Sequence, residues 1–540
     1  MDKKYIISII AIAIIVVVIG IFFLNGNSAN QNPDELTIIP YFPEPASGFD
    51  PLIGEWGCGH LNFEPLIQST LFKTSEDGNT LTNDLAKNYT VSSDGLTWTV
   101  NIRDDVKFSD NVSLTANDVA FTFNQAKATI ESQLDLGNFN NATATSNSTV
   151  EFRLKKPQST FILDLRWVGI VPEHAYNNES YGKNPIGSGP YKLTQWNKGQ
   201  QAIFEINDNY YGEKPYFKKI TMLFKNADAA VTSIKSKEVD VGAVDFNSIN
   251  SSIPGYDLIN LSAGRAEGIS FPIQNDTGLK TAKDHAIGNN VTADIAIRKA
   301  LNTGINRQKI VDDVFQGYGA PEYTGVDSRI YGNPEGKIKD NDLEGAKKIL
   351  EDAGWKVGSD GIREKDGLKA SFKLYYVSSD QQRQTLATIV SESGKELGIN
   401  IELIGSDWDT IYANEYSSAV TFRMSSEVPF MSVYQQFHSR SPVDGEYMNP
   451  GLYNNSKVDS YLDNALSSTD QNASLNDWKQ AAWDGTTGFS PAGDAPWLWL
   501  VTNDCLYFIN NNVDIGTPPK NQGQDLLSNI LKWKRNTTSV

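Results

Sequence analysis

The chain has 540 residues, more than one hydrophobic core organises, so two or three domains are expected. Apolar residues at 39% and aromatics at 11% suffice for real cores, which excludes a chain disordered throughout. A formal net charge of −18 argues against a nucleic-acid-binding surface, and two cysteines with four scattered histidines leave no disulfide framework or histidine metal cage.

Residues Ile6–Leu24 form an apolar run broken only by Ser8 and Gly20, long enough to cross a hydrocarbon core of about 30 Å as a helix. Lys3 and Lys4 precede it and no charge follows until Asp34, which keeps the amino end cytoplasmic. Residues 1–26 therefore read as an uncleaved transmembrane anchor, with a cleaved signal as the second reading. Residues 27–34 are a polar tether. Asn-x-Ser/Thr triplets recur at Asn88, Asn111, Asn141, Asn147, Asn178, Asn260, Asn275, Asn290 and Asn472. Their number suits a glycoprotein outside the cytoplasm, although an Asn- and Ser-rich composition also produces them by chance.

Strand-like alternation follows at Thr97–Arg103, Thr149–Leu154, Gln201–Ile206 and Ile220–Lys225. One helix interrupts these strands, capped by Thr115 and Asp118, with Val119, Phe123 and Ala126 as its apolar stripe. The later half alternates helix and strand. Helices over Asp342–Ala353 and Gln381–Leu397 stop at Gly354 and Gly398. Strands at Ala370–Val377 and Ile399–Ile404 flank the second of these, and a further helix over Lys457–Leu466 starts after Ser456. The body is read as α/β with at least one parallel sheet and two lobes.

Catalytic motifs are missing: no Gly-x-Ser-x-Gly elbow, no His-Glu-x-x-His helix and no Walker-type phosphate loop occurs. Ile186-Gly187-Ser188-Gly189-Pro190 has the wrong spacing for a nucleophile and reads as a chain reversal between strands. The chain is expected not to be an enzyme and to need no cofactor.

Several ordered segments resemble one family. They are Phe63-Glu64-Pro65-Leu66-Ile67, Trp98-Thr99-Val100-Asn101-Ile102-Arg103, Val106-Lys107-Phe108-Ser109-Asp110 and Leu114-Thr115-Ala116-Asn117-Asp118-Val119. Pro185–Tyr191, Asn209–Tyr216, Ile297–Leu301 with Ile305-Asn306-Arg307, and Ala346–Leu350 with Ala353-Gly354-Trp355 follow in order. Together they are similar to the family 5 extracellular solute-binding proteins, which serve ABC importers for peptides, nickel complexes, opines and some oligosaccharides. The resemblance implies a periplasmic-binding-protein-like two-lobed α/β fold with an inserted third domain, preceded here by the transmembrane helix. Lobe one is then expected at 35–70, 189–268 and 490–540, the inserted domain at 71–188 and lobe two at 269–489. It also implies a monomer that captures a small peptide, or a nickel chelate as the alternative, between its lobes. Delivery is to a membrane permease and, through it, an ATPase, with no nucleic acid involved. An extracellular enzyme or adhesion protein that has kept the fold is the alternative from another class.

In similar proteins the loop Phe49–His60 borders the cleft. Trp56 offers a flat face for a ligand side chain, although a core position suits it equally. His60 is a possible metal ligand, against a plain structural reading. The segment Thr421–His438 lacks the tryptophan and aspartate that peptide-binding relatives place there. Glu427 is the nearest substitute for an ammonium partner, and Arg423 is expected to hold a ligand carboxylate. His438, like His60, is a metal ligand if the cargo is a nickel chelate. Cys58 and Cys505 fall on one lobe and an outside location permits a disulfide, but two separate buried thiols are the simpler reading.

Overall fold

The computed structural model describes residues 32–53, 59–76, 78, 80–129, 136–249, 252–424, 428–442, 448–518, 520 and 526–536. The apolar run at 6–24 and most of the tether lie outside these residues. Among the described residues no helix is long and apolar enough to cross a membrane.

The chain opens on β1 (Glu35–Ile39), whose Leu36 and Ile38 are buried while the residues between them are half-buried. After α1 (Gly59–Ile67) come β2 (Ala86–Val91) and β3 (Thr97–Ile102), then α2 (Ala116–Thr129), β4 (Phe139–Ser146) and β5 (Thr149–Leu154). These four strands form an antiparallel sheet in the order β2-β3-β5-β4. Trp98, Val100 and Ile102 point to one face of β3 and are buried, the period of two that the sequence displays. Across that face α2 lays Val119, Phe123 and Ala126, all fully buried. Its start is capped as expected: Thr115 Oγ1 accepts from the Asn117 amide at 3.3 Å, and Asp118 Oδ2 accepts from the Thr115 amide at 2.8 Å. A short helix, α3 (Phe161–Trp167), completes this unit.

Next come β6 (Tyr191–Asn197), β7 (Gln201–Ile206), β8 (Lys219–Leu223), β9 (Val241–Val244) and the long β10 (Tyr256–Ser270). The second half adds α4 (Ile295–Gly304), α5 (Arg307–Val314), β11 (Gly319–Pro321), α6 (Leu343–Asp352), β12 (Ser371–Val377) and α7 (Gln381–Glu396). It ends with β13 (Asn400–Ser406), β14 (Ala419–Met424), α8 (Ser456–Ser467), α9 (Gln471–Ala482) and the long β15 (Trp497–Asn510). One eleven-stranded sheet runs β13-β12-β14-β10-β15-β9-β1-β8-β7-β6, with β11 paired to β15.

The fold is two-lobed. One core gathers Leu36, Phe204, Ile220, Val241, Tyr507 and Trp533, and a separate one gathers Ile297, Leu301, Leu350, Leu374, Leu386 and Leu500. Between them β10 and β15 stay paired, residues 256–262 with 510–504 and 265–270 with 503–497. Their register breaks between Ser262 and Arg265, where Gly264 sits at φ +58° and a side chain would strike the Arg329 guanidinium. The register shifts again between Glu267 and Gly268, so the crossing strands loosen over residues 262–268 between the two cores.

Three local expectations are corrected. The parallel set exists, β12 flanked by β13 and β14, but it is part of a mixed sheet because the crossing strands are antiparallel. Helix α8 begins at Ser456 rather than after it, because Asn455 takes the cap by accepting from the Lys457 and Val458 amides. Residues 186–190 do not reverse the chain between two strands, since a 3-10 turn at Tyr181–Lys183 precedes them. They run along the end of α1, where a Cβ at Gly187 would collide with the Ile67 carbonyl oxygen and Gly189 donates to that oxygen at 2.8 Å. Ser188 is fully buried beside them, not presented as a nucleophile.

Candidate functional site

A cluster of polar groups collects where the crossing strands loosen. Arg265 and Glu267 lie on β10 just past the register break, and Arg423 lies near the end of β14, directly opposite Glu267 in the register. Arg423 Nε donates to Glu267, and its Nη2 donates to Gln382 Oε1 at 3.2 Å and lies 3.9 Å from Asp380 Oδ2. Asp380 and Gln382 come from the start of α7, where Asp380 caps the helix by accepting from the Arg383 amide. Tyr41, which follows β1, accepts from Arg265 Nη1 at 2.6 Å. The cluster spans both lobes.

Its electrostatics are uneven. Glu267 is 1% exposed, whereas Arg423 keeps 24% of its side chain in contact with solvent. Burial opposes the guanidinium's charge, but the adjacent Glu267 outweighs it and holds Arg423 protonated more firmly than a free arginine. Burial pushes the Tyr41 hydroxyl up, with Arg265 and Arg423 pulling the other way. Such a site offers a partly exposed cation, carboxylates at Glu267 and Asp380, and aromatic walls at Tyr41 and Phe42, whose rings meet edge to face at 5.4 Å.

The expected ligand residues divide. Arg423 lies in the cluster, but its guanidinium is already engaged by Glu267 and so is not a free carboxylate fork. His438 is held elsewhere: its ring stacks on Tyr434 at 4.5 Å, Nδ1 lies 2.9 Å from the Ser439 carbonyl oxygen, and Nε2 lies 3.3 Å from Asp463 Oδ1. Nδ1 thus has a hydrogen-bond partner, whereas Nε2 has an acidic neighbour but makes no hydrogen bond. Trp56 and Glu427 lie outside the described residues, as does the side chain of His60. Cys505 is a free thiol, fully buried, with its pKa pushed up to about 12 by that burial, and Cys58 lies outside the described residues. No described group of three or more His, Cys, Asp or Glu is placed to hold a metal ion.

Sequence reading missed Tyr41, Arg265, Glu267, Asp380 and Gln382. No motif joins them, because they come from three segments brought together by the crossing strands. A cavity of about 260 Å³ lies at the other end of β10 and β15, lined by Asp257, Ile259, Ile509 and Asn510 among others. Asp257 is ten residues along β10 from Glu267, about 30 Å at the strand rise, so the cavity is no part of this site.

Behind the cluster, β11 pairs with β15 at 501–503 and leads into Glu322, which is 1% exposed. The Gly325 and Asp327 amides donate to Glu322 Oε1 at 2.9 and 3.0 Å, but burial, with Asp327 nearby, pushes its pKa up to about 8. A carboxyl raised in the folded state favours folding below its unfolded pKa and loses that contribution as pH rises through the folded value. Glu322→Gln is therefore expected to lose less stability than the parent between pH 5 and 8, by on the order of 1.4 kcal/mol per pH unit. Urea midpoints across that range check this; parallel curves for the two proteins refute it.

Comparison with known proteins follows the same lines. The model of the bacterial extracellular solute-binding proteins, family 5 Middle, matches residues 80–446. The chain is 27% identical over 510 residues to the oligopeptide-binding protein AppA of Bacillus subtilis, covering 87% of each chain. It is 29% identical over 370 residues to the nickel-binding periplasmic protein of Escherichia coli, covering 65% of this chain and 68% of the other. The fold is similar to that of NikZ from Campylobacter jejuni in complex with Ni(L-His), at TM-score 0.75 and 22% identity, covering 93% of this chain and all of that one.

Proposed function

This chain belongs to the bacterial extracellular solute-binding proteins of family 5, and from that premise we propose that it captures a small peptide between its lobes for an ABC importer. The observation that carries this reading is the polar cluster at Tyr41, Arg265, Glu267 and Arg423, set across two lobes that β10 and β15 join. A peptide zwitterion needs an anion for its ammonium and a cation for its carboxylate, and the cluster supplies both signs. The kinship to an oligopeptide-binding protein over 87% of the chain points the same way. The partners on this reading are a membrane permease and its ATPase, and the body works as a monomer outside the cytoplasm, tethered by residues 1–26.

The domain division follows from the same reading: lobe one at 35–70, 189–268 and 490–540, the inserted domain at 71–188 and lobe two at 269–489. In its favour, residues from 36–67, 191–243 and 505–533 share one core.

A nickel chelate is the second reading, favoured by the kinship to a nickel-binding protein. Against it, the His438 ring stacks on Tyr434 and its Nδ1 is taken by the Ser439 carbonyl oxygen. Titration calorimetry of the ectodomain with short peptides and with nickel plus histidine separates the two. Peptides are expected to bind, and His60→Ala and His438→Ala to leave that binding within about twofold. Nickel binding that is lost in a histidine variant overturns the peptide reading.

A further inference from the structure

We infer that the loop Pro157-Gln158-Ser159 of the unit built on β2–β5 is a latch that seats on the turn between α8 and α9 and holds the cleft closed. The inference rests on the binding-protein reading, since a latch has a role only where lobes part.

Three contacts converge on Ser159. Its amide donates to the Leu466 carbonyl oxygen at 2.8 Å, and its hydroxyl donates to the Ala465 carbonyl oxygen at 2.8 Å. The same hydroxyl oxygen lies 3.0 Å from Ser474 Oγ, which in turn lies 2.7 Å from the Ala465 oxygen. Beside them a Cβ built at Gly95 would fall 2.9 Å from both Pro157 Cβ and Thr469 Cγ2, so the turn at Ser92–Gly95 also closes on lobe two.

The two sides belong to different cores. Leu154 and Phe161 flank the loop and pack with Val100 and Phe123, whereas Ala465 and Leu466 pack with Phe422 and Trp478. Ala465 and Leu466 sit in the last turn of α8, where backbone carbonyls have no acceptor role left within the helix. The latch caps those carbonyls from another part of the chain.

That chemistry makes the contact reversible. When the lobes separate, water takes over the two carbonyls, so each bond contributes only its net difference from a bond to water. Removing the Ser159 hydroxyl is therefore expected to lower the closed fraction, and with it the apparent affinity, by about two- to tenfold.

The first test needs no ligand. In a Cys58→Ser ectodomain, Ser159→Cys with Ser474→Cys places two thiols where oxygens now lie 3.0 Å apart. Oxidation is expected to cross-link them and to give a smaller radius of gyration by small-angle scattering than the reduced protein, reversed by reductant. Ser159→Trp, too bulky for the seat, is expected to raise the radius above the parent's. Oxidised and reduced proteins that scatter alike overturn the latch, as does failure to cross-link together with an unchanged radius in Ser159→Trp. Tetra-alanine then serves as the binding probe: faster release from Ser159→Ala supports the latch, and unaltered release opposes it. If tetra-alanine fails to bind the parent, the peptide reading suffers, while the ligand-free arms still decide the latch.

Discussion

Arg307→Ala is expected to destabilise the second lobe by on the order of 4–5 kcal/mol, enough to unfold it under conditions where the parent is native. The side chain is wholly buried, and its guanidinium is spent on backbone. Nε donates to the Trp499 and Glu322 carbonyl oxygens at 2.8 and 3.0 Å, and Nη1 to the Asn302 carbonyl oxygen at 3.0 Å. Nη2 reaches Asn302 Oδ1 at 2.8 Å, and Asp340 Oδ2 lies 3.3 Å from Nη1. The guanidinium carbon also lies 4.6 Å from the Tyr323 ring centre. One residue thus ties α4, the segment that follows β11 and the crossing strand β15 together. Truncation leaves three carbonyls and a carboxylate without their donor and a void the size of the side chain. Arg307→Lys is expected to recover little, because a point-charge ammonium cannot span acceptors that a planar fork meets at once. Urea unfolding followed by tryptophan fluorescence and by circular dichroism measures the shift. A midpoint equal to the parent's refutes the role assigned to Arg307.

Arg307 also shows what was legible in the sequence. It stood out only as part of the turn Ile305-Asn306-Arg307, with no sign that its charge serves three carbonyls. Local signals fared well: Gly354 and Gly398 stop their helices at φ +90° and +74°, as the glycines there suggested. The burial alternation of β3 and the cap at Thr115 were equally plain, because each depends on residues within a few positions. The site depends on residues far apart. Glu267 and Arg423 meet because β10 and β14 pair, 156 positions apart in the chain, and Tyr41 is further still from both. Asn455 shows the same limit at short range, since either it or Ser456 can cap a helix and only the backbone geometry chose between them. Arg423 stood out in the sequence as a cation for a ligand carboxylate, but nothing near it in the chain marked Glu267, the residue that pairs with it across the strands.

Arg423→Ala is expected to do two separable things, and the pairing with Glu267 is the reason. Binding of short peptides should weaken by at least about tenfold, since a charge-assisted contact contributes about 1.5–3 kcal/mol. Stability should also fall, because Glu267 is 1% exposed and loses its cation. Breaking a buried pair from one side costs about 3–5 kcal/mol, and the lower end applies here because Arg423 is partly in solvent. The two effects can be separated by a second change. The double change Arg423→Ala with Glu267→Gln removes the stranded charge, so it should restore stability at pH 7 without restoring the peptide affinity. Denaturant midpoints and calorimetry on the parent, the single and the double variant give six numbers to compare. Recovery of affinity along with stability would mean that Arg423 only supports the fold, and the ligand role assigned to it would fall.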